Sequence, residues 1–116
     1  MVFLCYPKCS TCQKAKQFLE ANGLSFTLRD IKAERPTLDE LNSWQQKSGL
    51  PLKRFFNTSG LQYRALALKD RLPQMSEEEQ LQLLASDSML VKRPLLITDD
   101  AVLVGFREAQ WRQTLL

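Results

Sequence analysis

The chain of 116 residues contains no histidine. That absence excludes the Ser-His-Asp and Cys-His pairings that activate most serine and cysteine nucleophiles. It also leaves the three cysteines without partners for the usual four-ligand zinc site, so no metal is expected. Glycine and proline number only 4 and 5, which excludes a collagen-like or low-complexity chain. No apolar run approaches the ~20 residues of a membrane span, so no membrane partner is expected. The opening Met1–Tyr6 is too short for a secretory leader, lacks a basic segment and runs straight into Pro7. The expected location is a reducing cytoplasm, where a cysteine pair serves catalysis or sensing rather than stapling.

What is present describes an ordinary globular protein, 44% hydrophobic and 25% charged. A chain of this length reads as one domain over residues 1–116. Sixteen basic against 13 acidic residues leave a net charge of +3. The charges are scattered along the chain, with short clusters at Lys53-Arg54, Glu77–Glu79 and Lys92-Arg93. A dedicated nucleic-acid binder carries a denser basic stripe, so no direct nucleic-acid binding is expected. The mild positive balance suits an anionic small substrate or an acidic partner.

Val2–Tyr6 is a short apolar run closed by Pro7 and reads as a buried strand. From Ser10 to Asn22 the pattern turns helical, with Cys12, Ala15, Phe18 and Leu19 on one face and Gly23 as the stop. Ser25–Arg29 alternates with period two and predicts a second strand, completing a parallel βαβ unit. Thr37–Glu40 and Ser76–Glu79 are capping boxes that open two further helices. Leu95–Thr98 and Ala101–Val104 read as strands joined by an Asp99-Asp100 turn, and a short helix starts near Arg107. The order β-α-β, a helical middle over about 36–90, then β-β-α is that of an α/β thioredoxin-like fold. It predicts a four-stranded mixed sheet with a helical insertion between the second and third strands.

The chemistry concentrates at Cys9-Ser-Thr-Cys12, between the first strand and the first helix. The first N–H groups of a helix are unpaired, and its dipole places about half a positive charge there. A thiol at that end has its pKa lowered from ~8.5 into the range of roughly 3.5–7.5. Lys8 adds positive charge nearby. Cys9, nearer the loop, is the expected nucleophile, and Cys12, tucked under the first turn, the expected resolving thiol. Cys12 also falls on the apolar helix face, where a cysteine can be plain core. Cys5 lies within the first strand and reads as a small hydrophobe. Arg93, before Pro94 and the third strand, offers a planar donor fork that suits an oxyanion near Cys9.

Four segments together resemble the arsenate reductase/Spx family over almost the whole chain: Tyr6–Ala15, Phe56–Gly60 with Tyr63-Arg64, Lys92–Pro94 and Gly105–Arg107. The likeness is greatest to the short members of that family. It implies a thioredoxin-like fold with a cis Pro94 opposite the cysteine loop. It also implies an attack on arsenate by a cysteine at the position of Cys9, held among three arginines. Arg93 and Arg107 match two of these, while Asn57 stands at the third. The reductases also usually lack a cysteine at the position of Cys12. Both departures argue against arsenate as the substrate. The resemblance therefore implies a thiol oxidoreductase with no bound cofactor, re-reduced by glutathione, another small thiol or a redoxin. The CxxC motif also resembles Spx, which implies the alternative of a redox-sensing regulator bound to the RNA polymerase α subunit's C-terminal domain. Gly49 lies near the glycine associated with that contact and also reads as a plain helix stop.

Overall fold

Val2–Cys5 forms the first strand, β1, and the chain breaks at Pro7 before helix α1 over Ser10–Ala21. The computed structural model, which describes residues 1–116, places β2 at Thr27–Asp30, later than the Ser25–Arg29 alternation predicts. The parallel register explains the shift: Val2 lies opposite Thr27 and Cys5 opposite Asp30. Phe26 is thereby left before the strand, with its ring edge-on to Phe3 at 5.5 Å between centroids. β3 (Leu95–Ile97) and β4 (Val102–Val104) form the expected antiparallel hairpin. Each arm is one residue shorter than the sequence pattern suggests, because Thr98 and Ala101 close the turn. The Thr98 N–H donates to the Ala101 carbonyl at 2.9 Å, and the Ala101 N–H donates to Thr98 Oγ1 at 2.8 Å. The sheet order is β2-β1-β3-β4, with only β1 and β2 parallel. This is the mixed thioredoxin-like sheet that the element order predicts.

Alternation along the strands sends neighbouring residues to opposite faces. Phe3, Cys5, Leu96 and Leu103 meet α1 and α6 (Glu108–Leu115), packing with Cys12, Ala15, Phe18, Leu19 and Trp111. The helical stripe read from the sequence is thus the buried face of α1. Leu4, Leu95 and Val102 point the other way, into a second core with Leu41, Trp44, Phe55 and Leu84. A fully buried Leu or Phe contributes about 1.5–3 kcal/mol, so these two cores hold the sheet from both sides.

The second core lies under the insertion, α2 (Leu38–Ser48), α3 (Leu61–Ala65), α4 (Leu68–Arg71) and α5 (Glu77–Ser86). Both capping boxes form, with Thr37 and Ser76 accepting from the N–H groups of Glu40 and Glu79. α2 stops at Gly49, whose φ of +70° is the left-handed conformation that glycine adopts at low cost. The short helices α3 and α4 are too brief to leave a periodic signal in the sequence. Arg29 on β2 ties the insertion down by donating to both carboxylate oxygens of Glu40, at 2.7 and 2.9 Å. Arg107 takes the N-cap position of α6, in line with a helix starting near it, and makes no side-chain capping bond.

Candidate functional site

Cys9 is the N-cap residue of α1, with extended backbone angles. Its own N–H donates to the Tyr6 carbonyl at 2.9 Å, which turns the chain sharply after β1. Burial on its own pushes the Cys9 thiol up. The Cys12 N–H, the Cys12 thiol, the Arg93 charge and the Thr11 N–H outweigh that, and the net shift is downward from 9.0. These are the unpaired donors of a helix start, aimed at a sulfur. Cys12 is fully buried and moves the opposite way: desolvation raises its pKa, and the adjoining Cys9 raises it further. Its sulfur accepts from the Tyr6 N–H at 3.4 Å. Cys5 is also buried and its thiol is pushed up by desolvation, as a core cysteine should be.

The opposite wall comes from distant parts of the chain. The Arg93–Pro94 peptide is cis, and the Pro94 carbonyl accepts from the Gly105 N–H at 2.8 Å. The Gly105 carbonyl in turn accepts from Trp111 Nε1 at 3.1 Å, which fixes the turn that carries Arg107. The loop of the insertion is sewn to the same place. The Asn57 N–H donates to the Leu90 carbonyl and the Lys92 N–H donates to the Phe55 carbonyl, both at 2.7 Å. The result is a one-residue antiparallel bridge between Phe56 and Val91. Asn57 and Arg93 are therefore held by one set of bonds.

These residues open on one cavity of about 730 Å³, lined by Cys9, Asn57, Arg93 and Arg107 among others. The sequence thus brings together the thiol and three of its four expected anion-binding groups. Lys8, the fourth, is exposed and is not part of the cavity wall. Cys12 is fully buried and does not line the cavity. Arg93 sits over the Tyr6 ring at 5.1 Å, and its Nη1 reaches the Met89 carbonyl at 3.5 Å. Its Nε is buried and has no partner. Buried donors are rarely left unpaired, and Arg93 carries one at the edge of this cavity. Ser59 Oγ lies 3.3 Å from Asn57 Oδ1. A Cβ on Gly60 would come within 2.8 Å of Asn57 Nδ2, so only glycine leaves that amide in place.

Three cations escaped the sequence reading as site residues: Lys53, Arg54 and Lys92 also line the cavity, with no carboxylate among its walls. The expectation of scattered charge is corrected here, because the fold gathers five basic residues around Cys9. The only sign in the sequence was the pair of dipeptides Lys53-Arg54 and Lys92-Arg93, far apart along the chain. No group of three or more His, Cys, Asp or Glu residues is placed to hold a metal ion. No helix is long and apolar enough to cross a membrane.

Comparison with known proteins gives this geometry a context. The uncharacterised protein YusI of Bacillus subtilis is 51% identical over 113 residues, which cover 97% of this chain and 96% of that protein. The regulatory protein MgsR of the same organism is 26% identical over 95% of this chain and 86% of its own length. The crystal structure of an ArsC family related protein from Bacteroides fragilis superposes with a TM-score of 0.94. It is 53% identical and covers 97% of this chain and 94% of that one. The sequence pattern of the ArsC family matches residues 4–114, and the chain belongs to that family.

Proposed function

We propose that this chain is a cytoplasmic thiol oxidoreductase in which Cys9 is the nucleophile and Cys12 the resolving thiol. The observation that carries the reading is the opposed tuning of the two sulfurs. Cys9, whose pKa is lowered, opens on a cation-lined cavity, while Cys12 is buried beside it with its pKa raised. The Cys9 thiolate attacks one sulfur of a substrate disulfide, that S–S bond breaks and one thiolate leaves. Cys12 then gives its proton to the departing thiolate and attacks the Cys9 sulfur, forming the Cys9–Cys12 disulfide and releasing the second half of the substrate as a thiolate. Two electrons pass from the protein dithiol to the substrate. Glutathione, another small thiol or a redoxin returns them, and no bound cofactor or metal takes part. Arg93, Arg107 and Asn57 hold the anionic part of the substrate, with Pro94 shaping the wall between them.

The test is to incubate Cys12→Ser with cell extract and identify by mass spectrometry what is trapped on Cys9. A small thiol or a redoxin supports the enzyme; no adduct at Cys9 overturns it. Arsenate reduction coupled to glutathione and glutaredoxin is expected to be weak. Asn57 supplies a neutral amide where a guanidinium would add a charge-assisted bond roughly twice as strong. Asn57→Arg should raise the rate, and robust wild-type turnover left unchanged by Asn57→Arg would reverse this ranking.

A second reading is favoured by one observation, the similarity to a regulator along most of its length. In it the same disulfide switches binding to the C-terminal domain of the RNA polymerase α subunit. Saturable, oxidation-dependent binding of that domain in calorimetry would place this reading first.

A further inference from the structure

A second cavity, of about 560 Å³, adjoins the one at Cys9 and shares Lys53, Arg54 and Thr58 with it. Its remaining wall includes Lys69, Tyr63, Leu72 and Pro73, and again no carboxylate. We propose that the two cavities form one groove for an elongated, multiply anionic thiol in its disulfide form. Its sulfurs lie at Cys9, and its charged far end rests on Lys53, Arg54 and Lys69. This rests on the thiol-exchange reading above and narrows its substrate.

Three observations carry it. The first is charge. Six of the 16 basic residues line the groove and none of the 13 acidic ones does, so the rest of the chain is net negative. The ion pairs of the molecule are Arg29–Glu40 and Arg112–Glu108, so none of these six cations is neutralised by a carboxylate. Like charges gathered in a concave site repel one another and raise the local concentration of anions. The second is size. Each cavity alone falls in the range of roughly 300–1,000 Å³ that holds drug-sized ligands. A tetrahedral oxyanion on Arg93, Arg107 and Asn57 would leave the first cavity largely empty and the second unused. The third is the composition of the far end. Tyr63, half-buried with its ring 6.5 Å from that of Phe56, lies with Leu72 and Pro73 beside the cations. That pairing suits a ligand whose charged groups are joined to an apolar or aromatic body.

Chemically, the ligand R–S–S–R gives up one RS⁻ when Cys9 forms the mixed disulfide and the second when Cys12 closes the protein disulfide. The fully reduced protein supplies both electrons, so a single turnover needs no other reductant. The charged end of R stays on the second cavity while its sulfur is exchanged.

The experiment follows single-turnover formation of the Cys9–Cys12 disulfide by mass spectrometry in pre-reduced protein. Three probes are compared: 2-hydroxyethyl disulfide, which is short and neutral, oxidised glutathione, which carries carboxylates, and coenzyme A disulfide, which carries phosphates. Each rate is divided by that of the same probe with a small dithiol in solution. The anionic probes should gain roughly tenfold or more over the neutral one at low salt, an advantage that screening reduces. Lys69→Gln and the double variant Lys53→Gln/Arg54→Gln should each lower the anionic-to-neutral ratio several-fold. The greater gain, with coenzyme A disulfide or with glutathione, identifies phosphate or carboxylate as the recognised group. Reaction at equal normalised rates, or a preference that both variants leave unchanged, overturns the groove and leaves the thiol chemistry standing. No reaction with any probe overturns both.

Discussion

On the face covered by α1 and α6 the core is rich in sulfur and aromatic rings, with Cys5, Cys12, Phe3, Phe18 and Trp111 in one cluster. The face under the insertion is mostly aliphatic, with leucine at nine of its fifteen buried positions. The first face presents the thiol, and the insertion over the second contributes Lys53 and Arg54, two of the five cations around it. The two faces differ in how they are put together. Cys9 gets its properties mainly from a near neighbour in sequence, the N–H and thiol of Cys12, followed by the Arg93 charge and then the Thr11 N–H. The cationic wall exists only after residues 53–57, 92–93 and 107 have been brought together by long-range pairing. Nucleophilicity is thus a local property here, and anion recognition a tertiary one.

Substitutions can test that division. The largest effect is expected from Cys9→Ser, which should abolish reaction with a small disulfide while leaving the circular dichroism spectrum and unfolding midpoint unchanged. Residual fast reaction would mean that Cys12 or Cys5 is the working thiol.

Next in size is Trp111→Ala. Trp111 is fully buried, and its indole holds the Gly105 carbonyl, so a loss of about 3–5 kcal/mol is expected. Trp44→Ala, on the other face and slightly exposed, should cost less in the same urea titration. Equal losses would remove the asymmetry between the two cores.

Glu40→Gln tests the anchor of the insertion. Arg29 first, then the Thr37 N–H, hold the Glu40 carboxyl down from 4.5 to about 2. A depressed carboxyl stabilises the folded state fully above its unfolded value and loses that contribution as pH falls through the folded one. The pair is partly exposed, so about 1 kcal/mol is expected near neutrality. The stability curves of wild type and Glu40→Gln should converge between pH 4.5 and about 2. A constant gap over that interval would assign the stabilisation to something other than the charge.

The smallest effect is on a midpoint. Thiolate forms as pH rises, so a lowered pKa moves the half-maximal alkylation rate of Cys9 to lower pH, below those of Cys5 and Cys12. Arg93→Gln should move that midpoint upward but leave it below 9.0, because the helix N–H groups remain. A midpoint that ignores Arg93 would make the Cys9 environment wholly local.

Much of the thiol side was legible in the sequence because its signals are short-range. The apolar stripe of α1 and the CxxC at its start each lie within a few residues, and on the other face the two capping boxes of the insertion were legible for the same reason. Strand ends were less legible: β2 is set by its register against β1, which no local pattern encodes. Lys53, Arg54 and Lys92 stood out only as members of short charge clusters, because the sequence does not reveal that the Phe56–Val91 bridge brings them to one cavity. Lys8 misled in the opposite way. It is adjacent to Cys9 in sequence, but the turn closed by the Cys9 N–H and the Tyr6 carbonyl leaves it outside the cavity wall.

The bridge between Phe56 and Val91 also decides what a local opening of the molecule would release. It is a single pair held by two backbone hydrogen bonds, at the seam between the insertion and the strand that follows it. Phe56 and Val91 are both buried in the core under the insertion, so the seam opens only if that core loosens. In such an opening Asn57, Lys53 and Arg54 would leave the site, while α1, packed in the other core, would keep its N-terminal donors on the sheet. A partly opened molecule would still carry a reactive thiolate but would no longer select its partner by charge, and would behave as an unspecific thiol reagent.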